Sequence, residues 1–472
     1  MTDDDVLGRA YDARLMRRLA AYARPHRGLV ALSLGLLFAL SAVQLVQPWL
    51  IKLAIDQGIA ARRLQGLALP AGLFLLALVA EFLLRYAQLY VLERAGQNIV
   101  FDLRDALFSH LQRLPAAFFD RNPVGRLVTR LTSDVDALQE AFTSGVVLVL
   151  ADLAKLAGIV AILVWMDWRM ALVTFALLPP LVALTWVFRL RLREAYRRVR
   201  LLVARLNAFL QEHVSGMRVV QLFGQERATA EHFVAINGEH RDAQIVGVRY
   251  DAVFSAVTEL TGALALAAIL WSGGVRILSG AITFGTLVAF IEYAGRFFGP
   301  LQELSQRYTV MQAAMAAAER IFRLLDTPAA ELPRAPRAAD RREVRGEIVF
   351  DDVSFAYDGE PVLHEVSFRI RPGESVGVVG WTGSGKSTLI RLLVRLYEPQ
   401  RGRILLDGVD VREWELRELR RTIGVVLQDP FLFVGTVESN ISLGDPEVGA
   451  ADVRRAAAAV GVDRLVARLP QG

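Results

Sequence analysis

The stretch Glu374-Ser375-Val376-Gly377-Val378-Val379-Gly380-Trp381-Thr382-Gly383-Ser384-Gly385-Lys386-Ser387-Thr388 decides how the rest of the chain is read. Its apolar first part predicts a buried strand over 374–379. That strand leads straight into Gly380–Thr388, which fits G-x-x-x-x-G-K-[ST], and a helix is predicted over 387–397. Small residues in such a loop let backbone N–H groups wrap phosphate oxygens, and the helix N-terminus adds positive potential. Gly380, Thr382, Gly383, Ser384, Gly385 and Thr388 then form the cradle. Lys386 is placed to contact the β- and γ-phosphates, and Ser387 to hold Mg²⁺ through its hydroxyl. ATP and Mg²⁺ are the cofactors this pattern calls for.

Working toward the N-terminus, short strand-like runs lie at 366–370 and 347–353. Before them, 328–346 shifts to Pro, Ala, Arg and Glu without apolar period and reads as a linker. Residues 1–327 are of a different kind. The chain of 472 residues is 54% hydrophobic, with mean hydropathy +0.36, more than a soluble fold usually carries. Apolar runs over 29–51, 64–80 (continuing past Glu81 and Arg85 to Leu92), 141–166, 170–188, 252–275 and 277–291 predict about six membrane spans, since a helix of about 20 apolar residues crosses the hydrocarbon core. The first run is too long for a cleavable signal. With no cysteine in the chain, disulfides, thiolate metal sites and cysteine nucleophiles are excluded, and the six histidines stand singly, without metal-ligand spacing.

A net charge of +5 and a pI near 9.6 raise the question of nucleic acid. The arginines answer it by gathering between alternate apolar runs, as in cytoplasmic loops beside anionic lipid, so no nucleic-acid partner is expected. Six arginines precede span one, and both 93–140 and 189–251 are arginine-rich, whereas Arg62, Arg63, Arg169 and Arg276 mark the short alternate loops. Both termini are thereby expected on the cytoplasmic side of the inner membrane. The two long inner segments keep apolar residues at helical spacing, so the membrane helices are expected to continue into the cytoplasm. Each segment has a break fit for a short docking helix, at Leu114–Arg126 and at Gly216–Gly224. Among charges at membrane depth, Glu81 with Arg85 and Asp152 with Lys155 have the helical spacing of local ion pairs, while Glu259 and Glu292 have no obvious local partner.

Taken together the chain resembles a half-transporter of the ABC exporter family, of the multidrug or lipid type. The likeness is carried by Phe118-Phe119-Asp120, Gly125, Arg130 and Asp134, by Glu212, Gly216, Phe223 and Glu226, by Phe355-Ala356-Tyr357, by the phosphate loop, by Leu406-Asp407-Gly408, and by Val426-Leu427-Gln428-Asp429-Pro430. Thr436-Val437 and Asn440-Ile441 continue it. The resemblance implies an all-α polytopic membrane domain over 1–327, the linker, and over 347–472 the N-terminal part of an α/β P-loop nucleotide-binding domain. It also implies residue roles. Tyr357 stacks on adenine, and Gln428 is the Q-loop glutamine that reaches Mg²⁺ or the attacking water while its loop touches the coupling helices. The partners it implies are a second half-transporter, identical or not, the bilayer, and a small amphipathic substrate, drug or lipid-like, moved at the expense of ATP.

The family's signature sequence, Walker B aspartate, catalytic glutamate and switch histidine do not occur in these residues. On the resemblance the chain therefore reads as C-terminally truncated, and an incomplete parallel sheet is expected to expose apolar edges. Hydrolysis depends on residues outside this sequence. The competing reading is a non-hydrolysing membrane protein that binds nucleotide and regulates a partner half-transporter.

Overall fold

Asp12 opens the first helix by accepting the N–H groups of Arg14 at 2.7 Å and Leu15 at 3.3 Å, so that α1 runs Ala13–Ala23. The computed structural model describes residues 12–176, 178–329, 344–357 and 359–469. After α1 come α2 (Arg27–Leu53), α3 (Leu64–Leu111), α4 (Ala116–Arg121), α5 (Val124–Thr129), α6 (Val135–Glu140), α7 (Val147–Met166), α8 (Trp168–Ala176), α9 (Leu178–Ser215), α10 (Met217–Leu222), α11 (Glu226–Leu278) and α12 (Phe284–Leu325). The chain forms two compact units, Met1–Leu114 with Asn122–Pro328, and Pro115–Arg121 with Ala329–Gly472.

In the first unit the apolar runs are helical, and among the described residues four continuous helical stretches are long and apolar enough to cross a membrane: Ala13–Ile59, Leu64–Leu111, Val124–Met166 and Glu226–Leu278. Three of them extend well past the apolar run that signals them, as the periodicity of 93–140 and 189–251 requires. The start expected for span six is displaced. Ile277 still belongs to α11, a turn through Gly280 at φ +71° follows, and Thr283 caps the new helix by accepting Thr286 N–H at 3.2 Å. Wider π-turns interrupt the regular ladder at Ala54–Ile59, Arg130–Asp134 and Ala141–Val146. The breaks at 114–126 and 216–224 each hold a short helix, α4 and α10.

Glu81 and Asp152 both have partners on neighbouring helices. Glu81 accepts from Gln44 at 2.7 Å and Gln47 at 2.5 Å, both on α2, and Asp152 pairs with Arg307 at 3.0 Å. Helix packing thus adds donors of α2 and α12 that spacing along one helix does not reveal, and a low-dielectric interior strengthens each such bond. Asp167 does two things at the start of α8. One carboxylate oxygen accepts the N–H groups of Arg169 and Met170, each at 3.0 Å, and the other meets Arg276 at 2.5 Å. Where α2, the π-turn after it and α12 meet, Asp56 accepts Thr283 Oγ1 at 2.7 Å and Gly285 N at 3.0 Å. A Cβ on Gly285 would stand 2.6 Å from both Asp56 Oδ1 and the carbonyl of Lys52, and one on Gly66 would strike the carbonyl of Gln57. The core of this unit is Ile159, Leu163, Met170, Ile269, Phe290 and Tyr293 with their neighbours.

The second unit is built on β1 (Ile348–Tyr357), β2 (Glu360–Ile370), β3 (Arg401–Leu406) and β4 (Val409–Asp410), antiparallel in the order β2-β1-β3-β4. Both early strands are longer than their apolar runs suggest. Alternation explains the buried face, on which Phe350 and its register partner Phe368 stack at 4.5 Å. Helices α13 (Lys386–Leu393), α14 (Leu416–Thr422), α15 (Val437–Ser442), α16 (Ala450–Ala459) and α17 (Val462–Val466) follow, and Leu392, Leu393 and Leu419 pack onto Phe350, Val353, Phe355 and Ile404.

Two expectations fail here. Residues 374–379 form no strand, and Val376, Val378 and Val379 are exposed. Apolar alternation supplies only one side of a strand; the other is a neighbouring backbone, and among the described residues none pairs with 374–379. The helix expected to reach Tyr397 stops at Leu393, because Arg395 takes a left-handed conformation at φ +52° and Pro399 follows.

The β3–β4 turn fixes the entry to the domain. Asp407 accepts the N–H groups of Arg345, Gly346 and Glu347 at 2.7, 3.2 and 2.8 Å. Burial pushes its carboxyl upward, but the three donors outweigh this and hold it below its ordinary value. A depressed folded pKa means that the stabilisation is present above the unfolded pKa of about 4 and is lost as pH falls through the folded one. Asp407→Asn is therefore expected to lower stability by about 1 kcal/mol at pH 7 and by clearly less at pH 3. Urea unfolding at the two pH values measures this, and an equal loss at both would rule the carboxylate out.

Candidate functional site

The phosphate loop is shaped by its glycines. Gly383 and Gly385 lie at φ +86° and +89°, and a Cβ on Gly385 would stand 2.7 Å from Leu363 Cδ2 of β2. A Cβ on Gly380 would stand 2.6 Å from Ser384 Oγ. The chain thus closes into a narrow turn whose backbone is its inner surface. Helix α13 begins at Lys386 with no side-chain cap; the N–H of Thr388 is bonded to the carbonyl of Gly385 at 3.0 Å, and those of Lys386 and Ser387 are left without an intrahelical acceptor. The ammonium of Lys386 reaches back over the loop and donates to the carbonyls of Gly380 and Trp381, each at 2.8 Å. One cation, bare amide donors and a surface too tight for side chains make an anion cradle of triphosphate type.

Ser387 is exposed beside Lys386, with its hydroxyl available to a cation held between phosphates. Among the described residues no group of three His, Cys, Asp or Glu side chains is arranged for a metal ion. Thr382 and Ser384 are exposed on the loop, whereas Thr388 is buried beneath it.

Tyr357 ends β1 next to this helix. Its hydroxyl donates to Thr388 Oγ1 at 3.3 Å and accepts from Arg391 Nη1 at 3.3 Å. Its ring stands edge-on to Phe355 at 4.7 Å and to Tyr397 at 5.1 Å. Sequence reasoning missed the groups that place it. The amide of Gln400 accepts from Ala356 N at 3.0 Å and donates to Ala356 O at 2.9 Å, standing in for a strand at the end of β1. Tyr397 donates to Asp120 of α4, and burial together with that bond pushes its phenol up to about 12. Neither Gln400 nor Arg391 belongs to a motif, so spacing gives no sign of them.

Gln428 is not brought to the loop. It lies exposed at a bend, and among the described residues no hydrogen bond links it to Lys386 or Ser387. Trp381, which the motif leaves free, is 90% exposed at the rim.

Comparison with known proteins agrees with this geometry. Residues 30–301 match the family described as ABC transporter transmembrane region, and residues 363–471 the family described as ABC transporter. Among curated relatives, the uncharacterized ABC transporter ATP-binding protein YknV of Bacillus subtilis is 35% identical over 479 residues, covering 100% of this chain and 78% of its own length. The ATP-dependent lipid A-core flippase of Thiobacillus denitrificans is 35% identical over 94% of this chain and 76% of its own length. The multidrug efflux ATP-binding/permease protein Rv0194 of Mycobacterium tuberculosis is 34% identical over 97% of this chain and 38% of its own length.

Proposed function

This chain belongs to the ABC transporter family, as an ATPase and translocase of exporter type in the inner membrane, and from that premise we propose that it is one half of a dimeric exporter of a small amphipathic molecule, drug or lipid-like. The observation that carries the reading is the Lys386 ammonium poised over a glycine-shaped anion cradle, in one chain with helices long and apolar enough to cross a bilayer. Relatives named for multidrug efflux and for flipping lipid A core support an amphipathic cargo. The arginine-rich segments 93–140 and 189–251 support cytoplasmic placement of both termini.

In this reading Lys386 exchanges its two carbonyl acceptors for phosphate oxygens, and the backbone of 380–388 supplies further donors. Bound Mg²⁺ would neutralise charge between the phosphates, with Ser387 as its ligand from the loop and Gln428 reaching it once its segment closes on the site. Tyr357 offers its ring to adenine while Thr388 and Arg391 fix its hydroxyl. ATP drives the cycle by binding the closed pair of nucleotide domains better than the open pair, which shifts the membrane helices between two arrangements.

Reconstitution into liposomes of the chain continued through the signature and Walker B segments that hydrolysis needs tests this. ATP is expected to drive movement of a fluorescent phospholipid analogue or of a cationic amphipathic dye, several-fold over a non-hydrolysable analogue. No ATP-dependent movement of either probe would sink the exporter reading and favour the regulatory one.

A further inference from the structure

Pro48 lies inside α2, five residues before its end. Proline has no N–H, so the carbonyl four residues earlier, that of Gln44, loses its donor within the helix. In a hydrocarbon environment such an acceptor is costly unless a neighbour supplies the bond. Arg296 on α12 supplies it: Nη1 donates to Gln44 O at 2.7 Å, and Nη2 donates to the side-chain oxygen of Gln47 at 2.9 Å. One turn along α12, Tyr293 donates to the carbonyl of Leu45 at 2.5 Å.

The same glutamines continue the network to a third helix. The side-chain amides of Gln44 and Gln47 both donate to Glu81 on α3, one to each carboxylate oxygen. Gln47, 2% exposed, thereby stands between an acid and a base and relays one to the other. A carboxylate and a guanidinium at membrane depth are thus both satisfied, although no direct contact joins them.

We propose that Arg296 is a positioning residue that latches α2 to α12 at the carbonyl Pro48 leaves without an intrahelical donor, so that Pro48 and Arg296 act as a pair. Any arrangement in which α12 withdraws from α2 must find Gln44 O another donor. A merely space-filling arginine would have no reason to depend on the proline. Pro48→Ala restores an N–H at position 48 and with it the helix's own bond to Gln44 O, which makes half of the latch redundant.

The test is a double-mutant cycle on the full chain in detergent, read as the thermal unfolding midpoint. Arg296→Met is expected to lower the midpoint by about 5 °C in the parent, from the loss of two charged hydrogen bonds, and by half of that or less in a Pro48→Ala background. Arg296→Lys, which can satisfy one acceptor, is expected to fall between. An equal drop in both backgrounds would overturn the proposal. If Arg296→Met alone yields no folded protein, recovery of folded protein in the double variant supports the latch, and failure of the double variant beside a folded Pro48→Ala overturns it.

Discussion

Replacing Lys386 with alanine is expected to weaken binding of a fluorescent ATP analogue by about a hundredfold or more. In the structure the ammonium is already held over the loop by two carbonyls at 2.8 Å, so it need not be recruited from solvent. Losing the charged partner of a phosphate in a shielded site typically costs about 2–5 kcal/mol, which spans roughly thirty-fold to several thousand-fold in affinity. The loop itself should survive, because its turn is set by Gly383 and Gly385 and its helix by packing of Leu392 and Leu393. Circular dichroism of the variant is therefore expected to match the parent. Lys386→Arg is a useful companion: it keeps the charge but replaces a compact point donor with a planar fork, and should recover only part of the affinity. Unchanged binding by the alanine variant would remove the loop from the site.

Asp134→Asn is expected to destabilise the membrane unit by about 3 kcal/mol, the low end of the cost of breaking a buried ion pair, since Arg320 is only half-buried. Asp134 is 6% exposed and holds Arg320 bidentately, at 3.0 and 2.5 Å. Arg126, Arg320 and Arg323 all repel Arg130, and Asp134 is the acid that offsets them. Asparagine keeps the shape and removes the charge, so the loss reports electrostatics rather than a cavity. Thermal unfolding in detergent measures it. A midpoint within a degree of the parent would show that the arginines relax into water without help.

These two residues also mark where the sequence was legible. Lys386 lies in a pattern whose fixed positions each answer a chemical need, and the glycines at 383 and 385 take the positive φ that such a tight loop uses. The helices were equally plain, because apolar runs of membrane length have few alternatives. Asp134 was singled out by family likeness, yet Arg320, 186 residues away, carried no mark of pairing with it. The same holds for Glu81 and Asp152, whose spacing points to neighbours on their own helices and gives no sign of Gln44, Gln47 and Arg307, which packing brings to them. Partner choice across helices is decided by rotation and register, which hydropathy does not encode. The segment 374–379 shows the converse. Its side chains read as a strand, but strand formation is a property of two backbones, and the pattern of one cannot report the other. Gln400 escaped notice because it works as a substitute for backbone, a role with no preferred spacing.

The crowding around Gly285 and Gly66 has a consequence for inheritance. Every missense change at a glycine codon adds at least one carbon, and at these two positions the first carbon already meets a carboxylate oxygen or a main-chain carbonyl. Elsewhere on the outer faces of the helices, substitution is buffered by lipid or water that moves aside. At these two codons there is no mild allele, so in a population of variants they should be read as all-or-none loci, where even alanine counts as a severe change.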